Sequence, residues 1–406
     1  MPDSTRSDEL DAMRQATLSP GDQASLRELR ASGRQTARER INALLDPDSF
    51  VEVDAFVQHR AREHNMHLHR PLGDGVVAGH GMLDGRRVVC FAQDYSVFAG
   101  TMGEMHAKKI AKVAEFAEKA QLPMIGIWDG DGQRGEEGVT SLGATGHLLD
   151  ILVACSGRIP VISIILGTVS GVSALAAGLS DFVILGAEHG QRFMRSPYMI
   201  PEIVKGEVDE ASLGGAEQHA SRSGVACLMA QDESDAIDIA AEILSYLPDH
   251  TLAEPVKVSS GDKWDRKCKG LSKTVPSDSN VPYDMREVIG EVVDEGRFLE
   301  LFPSYAEHIV IGFARLDGQS VGVVGNQPKV LAGCLDIDAS VKAARFIRTC
   351  DVFNVPVVTF VDVPGFLPGT VQEWGGIIRH GAKLLFAYAE ATVPKLAVVT
   401  LSLIHI

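Results

Sequence analysis

The sequence is short of positive charge. Its 38 Lys+Arg stand against 54 Asp+Glu, a formal net charge of −16. Neutralising a phosphate backbone needs clustered Lys and Arg, so a nucleic-acid partner is excluded. Cysteine is also scarce. The six residues Cys90, Cys155, Cys227, Cys268, Cys334 and Cys350 form no CxxC pair. That argues against a zinc ribbon or a thioredoxin-type site and fits a reducing compartment, here the cytoplasm. No apolar signal-peptide core opens the chain, and its first forty residues mix both signs of charge. GxxxxGK[ST] is missing, so no P-loop is present.

Glycine, by contrast, is plentiful, at 40 residues. It marks tight turns and places where backbone approaches another group closely. The one long uncharged run, Ile159 to Ser180, has the length of a membrane span. It divides more naturally into a β-branched strand (Val161–Leu166), a small-residue turn (Gly167–Gly171) and a buried helix (Ala174–Leu179), so no transmembrane segment is expected.

The chain repeats itself. Leu83–Gly132 and Leu316–Gly365, at a constant offset of 233, share 12 of 50 residues, where unrelated sequences would share about three. Upstream, Arg38, Asp46 and Glu52 match Arg286, Asp294 and Glu300 at an offset of 248. The difference is an insertion in the first copy around His59 to Arg70. Downstream, Val161–Leu166 matches Lys395–Thr400. Each copy reads as strand, Ala-Gly turn, helix, Pro, buried strand, Gly-rich loop, helix and strand. The first-copy elements are Val88–Phe91, Met105–Ala120 and Met124–Trp128, and the second-copy ones Val321–Val324, Asp338–Phe353 and Val357–Val361. Such alternation predicts an α/β fold with parallel pairing.

The expected organisation is a polar extension (1–37), a first domain (38–250), a linker rich in Lys, Ser, Pro and Asp (251–282) and a second domain (283–406). The first copy runs on for about 80 residues after its last aligned strand, whereas the second reaches Ile406 almost at once. The second domain is therefore expected to be incomplete, with Leu401–Ile406 in place of its next turn.

Gly-rich loops after a parallel strand are where open α/β sheets bind ligands, and helix N-termini there favour anions. The candidates are Asp129–Gly138 and Gly167–Val172 in copy one and Asp362–Gly369 in copy two. Taken singly, each also reads as an ordinary glycine turn. His59, His64, His67 and His69 lack acidic or Cys partners at ligand spacing, so the expectation is a solvated loop and no metal. Glu136 and Glu137 are adjacent and do not share a helical face, which favours capping or surface roles over an acid–base pair.

Several stretches carry a specific resemblance. Asp94 to Lys109 resembles the signature of biotin-dependent acyl-CoA carboxyltransferases. So, more closely, do Asn326 to Gly333, Asp336-Ile-Asp338, Phe360 to Gly369, and Gln372-Glu373 with Gly375 to Leu385. That family includes propionyl-CoA carboxylase β chains, methylmalonyl-CoA carboxyltransferase and methylmalonyl-CoA decarboxylase α chains. The resemblance implies two tandem crotonase-like domains, an acyl-CoA side in the first and a biotin side in the second, within a homo-hexamer. It implies transfer of a carboxyl group between carboxybiotin and the α-carbon of a short-chain acyl-CoA, through an enolate held by backbone N–H pairs. The oxyanion pair falls on Gly171 and Val172. Acyl-CoA binding falls on Gly132, Arg134, Lys108 and Lys109, and the biotin side on Pro364, Gly365, Phe366 and Gly369. The second oxyanion pair would follow Thr400. No Met-Lys-Met acceptor and no ATP loop appear, so biotin is expected on a separate carrier protein, carboxylated by a separate biotin carboxylase. Competing readings are a crotonase-type hydratase or isomerase and a non-catalytic scaffold subunit.

Overall fold

The computed structural model describes residues 3–195, 209–278 and 281–402. They form two compact units. The first comprises residues 1–219 and 229–241, the second 220–228 and 242–406.

Unit one begins with helices α1 (Asp3–Leu18), α2 (Gln23–Ala31) and α3 (Ala37–Leu44). Helix α3 starts on a capping box, Thr36 with Glu39, which satisfies backbone donors that the helix itself cannot. Its sheet contains β1 (Val51–Glu52), β2 (Val76–Leu83), β3 (Arg86–Gln93), β4 (Met124–Gly130), β5 (Val161–Ser170), β6 (Phe182–Gly186), β7 (Gln191–Phe193) and β8 (Leu228–Ala230). Strands β1, β2 and β3 pair antiparallel, and β3 through β6 pair parallel. The crossovers are α4 (Glu104–Ala120), α5 (Gly138–Cys155) and α6 (Gly171–Gly178), with α7 (Glu233–Ser245) after β8.

Unit two repeats this plan. Helix α8 (Met285–Val292) precedes β9 (Phe298–Leu301), β10 (Ile309–Leu316) and β11 (Gln319–Asn326), all antiparallel. Parallel pairing then carries β11 to β12 (Val357–Val363) and β13 (Lys395–Ser402), through α9 (Ile337–Val352) and the paired helices α10 (Thr370–Gly375) and α11 (Ile377–Glu390).

The sequence repeat is also a repeat of hydrogen bonds. Both β-hairpins turn on Asp-Gly with positive φ at each residue, +52° and +74° at Asp84-Gly85 and +51° and +74° at Asp317-Gly318. That backbone matches the twist of the flanking strands. Asp46 accepts from the N–H groups of Asp84 and Gly85, and Asp294 from those of Asp317 and Gly318. Arg38 pairs with Glu52 at 2.7 Å, and Arg286 with Glu300 at 2.6 Å.

Two expectations change. Gly167 to Ser170 is not a turn. It extends β5, and Thr168–Ser170 pair with β7. Gly167 is glycine because a Cβ there would overlap the Asp129 carboxylate. The His-rich insertion is only partly solvated. His64, His67 and His69 are exposed, but His59 is fully buried, its Nε2 2.8 Å from His69 O and its ring edge-on to Phe98. No metal-ligating cluster occurs among the described residues. The 251–282 segment has one short helix, Leu271–Thr274, and Arg266 ties it to the carbonyls of Glu291, Val292 and Val293.

Candidate functional site

In unit one, three chain segments converge beyond the C-terminal end of β4. The first is the turn Phe98-Ala99-Gly100, with φ of +49°, +50° and +66°. Left-handed backbone is rare for residues with a Cβ, and rarer for a bulky one, so this turn holds strain of the kind found at functional sites. Unit two repeats it at Leu331-Ala332-Gly333, with +48°, +52° and +71°. Gly100 and Gly130 touch backbone to backbone, and a Cβ on either would overlap the other's chain.

The second segment is the loop after β4. Met102 N donates to Gly132 O at 2.8 Å, and Arg134 N to Met102 O at 3.0 Å. The third is the junction of β5 with α6. Gly132 is buried at φ +72° against Ser170, whose hydroxyl donates to Asp131 Oδ1 at 2.5 Å. Gly171, at φ +56°, and Val172 head α6, and the N-cap Ser170 makes no side-chain cap bond. First-turn N–H groups have no acceptor within their own helix. A partial positive charge therefore gathers at Gly171 and Val172, suited to an anionic oxygen. Both residues are half-buried, and the neighbouring Ser173 hydroxyl is fully buried without a partner.

A cavity of about 640 Å³ opens between His64, Phe98, Thr101, Gln133, Gly135 and Glu136. One wall is thus the insertion that copy two lacks. A second cavity, of about 310 Å³, lies between Ser32–Gln35 and Gly186–Gly190 and contains none of the expected site residues.

The four residues expected to meet acyl-CoA do not share a face. Lys108 is exposed and pairs with Glu104 at 2.6 Å. Lys109 is buried, its ammonium 2.7 Å from Val76 O and 3.4 Å from Glu52. Burial lowers its pKa, against the opposing pull of Glu52. Arg134 is also buried, and no atom of its guanidinium is offered to a surface ligand. Its Nη1 lies 2.6 Å from Asp74 Oδ1 and 2.8 Å from Glu137 Oε1, its Nη2 donates to Thr101 O at 2.9 Å, and its plane sits over Phe98. Lys109, on the inward face of α4, and Arg134, beneath its N-terminus, are interior groups because buried carbonyls and carboxylates there take them as partners. Burial raises the Asp74 pKa despite Arg134, and burial together with Arg134 pushes His106 down to about 3, so His106 is neutral.

Charges far apart in sequence were not foreseen. Asp129 is held by Arg34 and by Arg40 Nη1 at 2.6 Å, and Arg40 also binds Glu233. Separations such as 89 and 193 residues leave no periodic signal.

In unit two, the loop of Pro364, Gly365, Phe366 and Gly369 leaves β12 in the same way. Leu335 N donates to Gly365 O at 3.0 Å, and Leu367 N to Leu335 O at 2.8 Å. Gly365 and Gly369 have φ of +145° and +133°, and a Cβ on either would meet nothing within 4 Å. Phe366 is exposed and packs beside Gly381. Asp362, buried before this loop, has one oxygen without a partner, and burial raises its pKa. Of the residues expected in place of a second oxyanion pair, Leu401 and Ser402 continue β13, while 403–406 lie outside the described residues.

Comparison with known proteins gives consistent matches. A family model described as carboxyl transferase domain matches residues 28–404. The chain is 48% identical over 400 residues to a biotin-dependent acetyl-/propionyl-coenzyme A carboxylase beta5 subunit of Mycobacterium tuberculosis, covering 97% of this chain and 73% of that one. It is 48% identical over 370 residues to methylmalonyl-CoA decarboxylase subunit alpha of Veillonella parvula, covering 91% and 73%. Among solved structures, the transcarboxylase 12S hexamer with hydrolysed methylmalonyl-coenzyme A superposes with a TM-score of 0.94 at 42% identity, covering 97% of this chain and 76% of that one.

Proposed function

Because the chain belongs to the carboxyl transferase domain family, we propose that it moves a carboxyl group between biotin on a carrier protein and the α-carbon of a short-chain acyl-CoA. The observation that carries the site assignment is the α6 N-terminus at Gly171–Val172, set among three glycine-lined segments of unit one. Carboxyl transfer to a thioester passes through an enolate, and the main barrier is the charge on its oxygen. Fixed N–H groups in a site from which water is excluded stabilise that charge without reorganising.

Carboxybiotin, when docked, supplies the activated carboxyl group. In this reading, the glycine loop of Pro364, Gly365, Phe366 and Gly369 receives the biotin side, because the space beside Gly365 and Gly369 is open. Gly132 and Lys108 serve acyl-CoA. Glu137 is occupied by Arg134 and by the Glu104 N–H, which disfavours the hydratase reading, since that chemistry needs an unencumbered carboxyl pair.

The proposed partners are a biotin carboxylase, a biotin carrier protein and further copies of this chain, up to a homo-hexamer, in the cytoplasm. Exposed apolar residues in the helices that follow the two glycine loops support self-association: Val139 and Leu142 on α5, Val371 and Trp374 on α10. Helix α5 and its preceding turn (Gly135–Cys155) also reach the length and mean hydropathy of a membrane span, with a third of that window buried. The deciding experiment follows labelled carboxylate from methylmalonyl-CoA or malonyl-CoA to free biotin. Transfer is expected, and none by the assembled protein would refute the reading.

A further inference from the structure

The stretch from the end of β4 to the start of α5 contains Gly130, Gly132, Gly135 and Gly138, and so is a poor holder of fixed geometry by itself. One side chain ties it down. Arg134 leaves the loop, passes under the N-terminus of α4 and ends among two other segments. It reaches Asp74 at the start of β2, the Thr101 carbonyl after the left-handed turn, and the face of Phe98 within that turn. Its fourth contact returns to the loop, at Glu137.

The two carboxylates continue the tie. Glu137 Oε2 accepts from Glu104 N at 2.6 Å and Asp74 Oδ2 from His106 N at 2.9 Å, so both cap the first turn of α4. Gly103 is glycine there because a Cβ would overlap the guanidinium. All three ionised groups are nine-tenths buried or more. The facing titratable neighbours are His106, which is neutral, and Lys109, which is committed to Val76 and Glu52.

Such a cluster is a poor stabiliser, since desolvating three charges offsets most of their attraction. Its distinctive property is direction. A planar guanidinium can bridge two carboxylates and a carbonyl at fixed angles, which an ammonium cannot. Copy two makes the same backbone crossing without it, with Leu367 at the position of Arg134 and Thr370 at that of Glu137. The tether is therefore particular to unit one.

We infer that Arg134 is a positioning residue for the acyl-CoA loop: through Asp74, Glu137 and Thr101 it fixes Asp131–Gln133 and the Phe98–Gly100 turn against each other. The inference rests on the proposed function for its kinetic consequence, but not for its structural one.

The test compares Arg134→Lys and Arg134→Met with the unaltered protein in its assembled form. The KM for acyl-CoA should rise about ten- to a hundredfold, with kcat nearly unchanged, because the lost quantity is binding geometry. Arg134→Lys, which keeps the charge, should resemble Arg134→Met, and guanidinium at millimolar concentration should partly restore Arg134→Ala. Amide hydrogen exchange should quicken at residues 98–104 and 131–138 and be unchanged in unit two. Wild-type KM and exchange in Arg134→Lys would overturn the inference. If the unaltered protein transfers no carboxylate, the functional reading fails instead, and the exchange measurement still decides the role of Arg134. Should Arg134→Met not fold, Arg134→Lys and Asp74→Asn give the same readouts.

Discussion

Asp129 and Asp362 occupy the same point of the two repeats, at the ends of β4 and β12, yet their charges are treated oppositely. Asp129 is clasped by Arg34 and Arg40, whereas Asp362 has Tyr283 beside it and, among the described residues, one oxygen with no partner. The residues at the Arg34 and Arg40 positions of copy two are Pro282 and Val288. Burial raises the Asp362 pKa above its ordinary value. Between the unfolded and folded values the native state holds more protons, so stability falls as pH rises through that window. Asp362→Asn cannot titrate. It should match the unaltered protein near about pH 4 and melt at a higher temperature at neutral pH. Parallel melting curves across pH would contradict this.

Arg40 is the reverse case. It is almost wholly buried between Asp129 and Glu233. Arg40→Met leaves those carboxylates facing each other and should cost about 3–5 kcal/mol in denaturant unfolding. Combining it with Asp129→Asn should cost less than the two changes summed, because the partners are in contact.

The adjacent lysines should separate cleanly. Lys109→Met leaves the Val76 carbonyl and Glu52 without their buried partner and should lower stability by about 1–3 kcal/mol. Lys108→Ala should leave stability unchanged. Its expected effect is a higher KM for acyl-CoA that shrinks with added salt, since an exposed ammonium acts through screened charge.

Gly171→Ala isolates backbone from space. The nearest atom to a Cβ at this position is Met194 O at 4.0 Å, so nothing obstructs it. Its positive φ nevertheless costs an L-residue about 1–2 kcal/mol. Relief of that strain would turn the N–H away, so carboxyl transfer should fall about tenfold, with stability lowered by no more than about 1–2 kcal/mol. Val172→Ala should keep the wild-type rate. Equal rates in both variants would remove this N–H pair from the mechanism.

Much of this layout is legible in the sequence, for local reasons. The strands and helices of both copies fall within a few residues of their expected bounds, because Ala-Gly turns, prolines and β-branched runs act over short distances. The site is less legible. Asp74 and Arg134 meet across 60 residues, and nothing in either neighbourhood signals the other. Gly167 looks like a turn glycine, although its role is to admit the Asp129 carboxylate to the side of β5. His59 sits in a polar insertion, and the Phe98 ring together with the His69 carbonyl explains its burial. Lys109 reads as a surface cation beside Lys108, whereas helical geometry turns the two about a hundred degrees apart and sends one inward.

Strand β13 has a neighbour, β12, on one side only among the described residues. Its Leu396, Val398 and Val399 are exposed, beside a row of main-chain donors and acceptors. Such an edge templates strand addition by other molecules, and Lys395 at its start is the one charged side chain along it. The edge is suited to accept a further strand, from this chain or another, and while it is open it is where precipitation on heating or concentration should begin. Val398→Lys should slow that loss without changing the reversible unfolding midpoint.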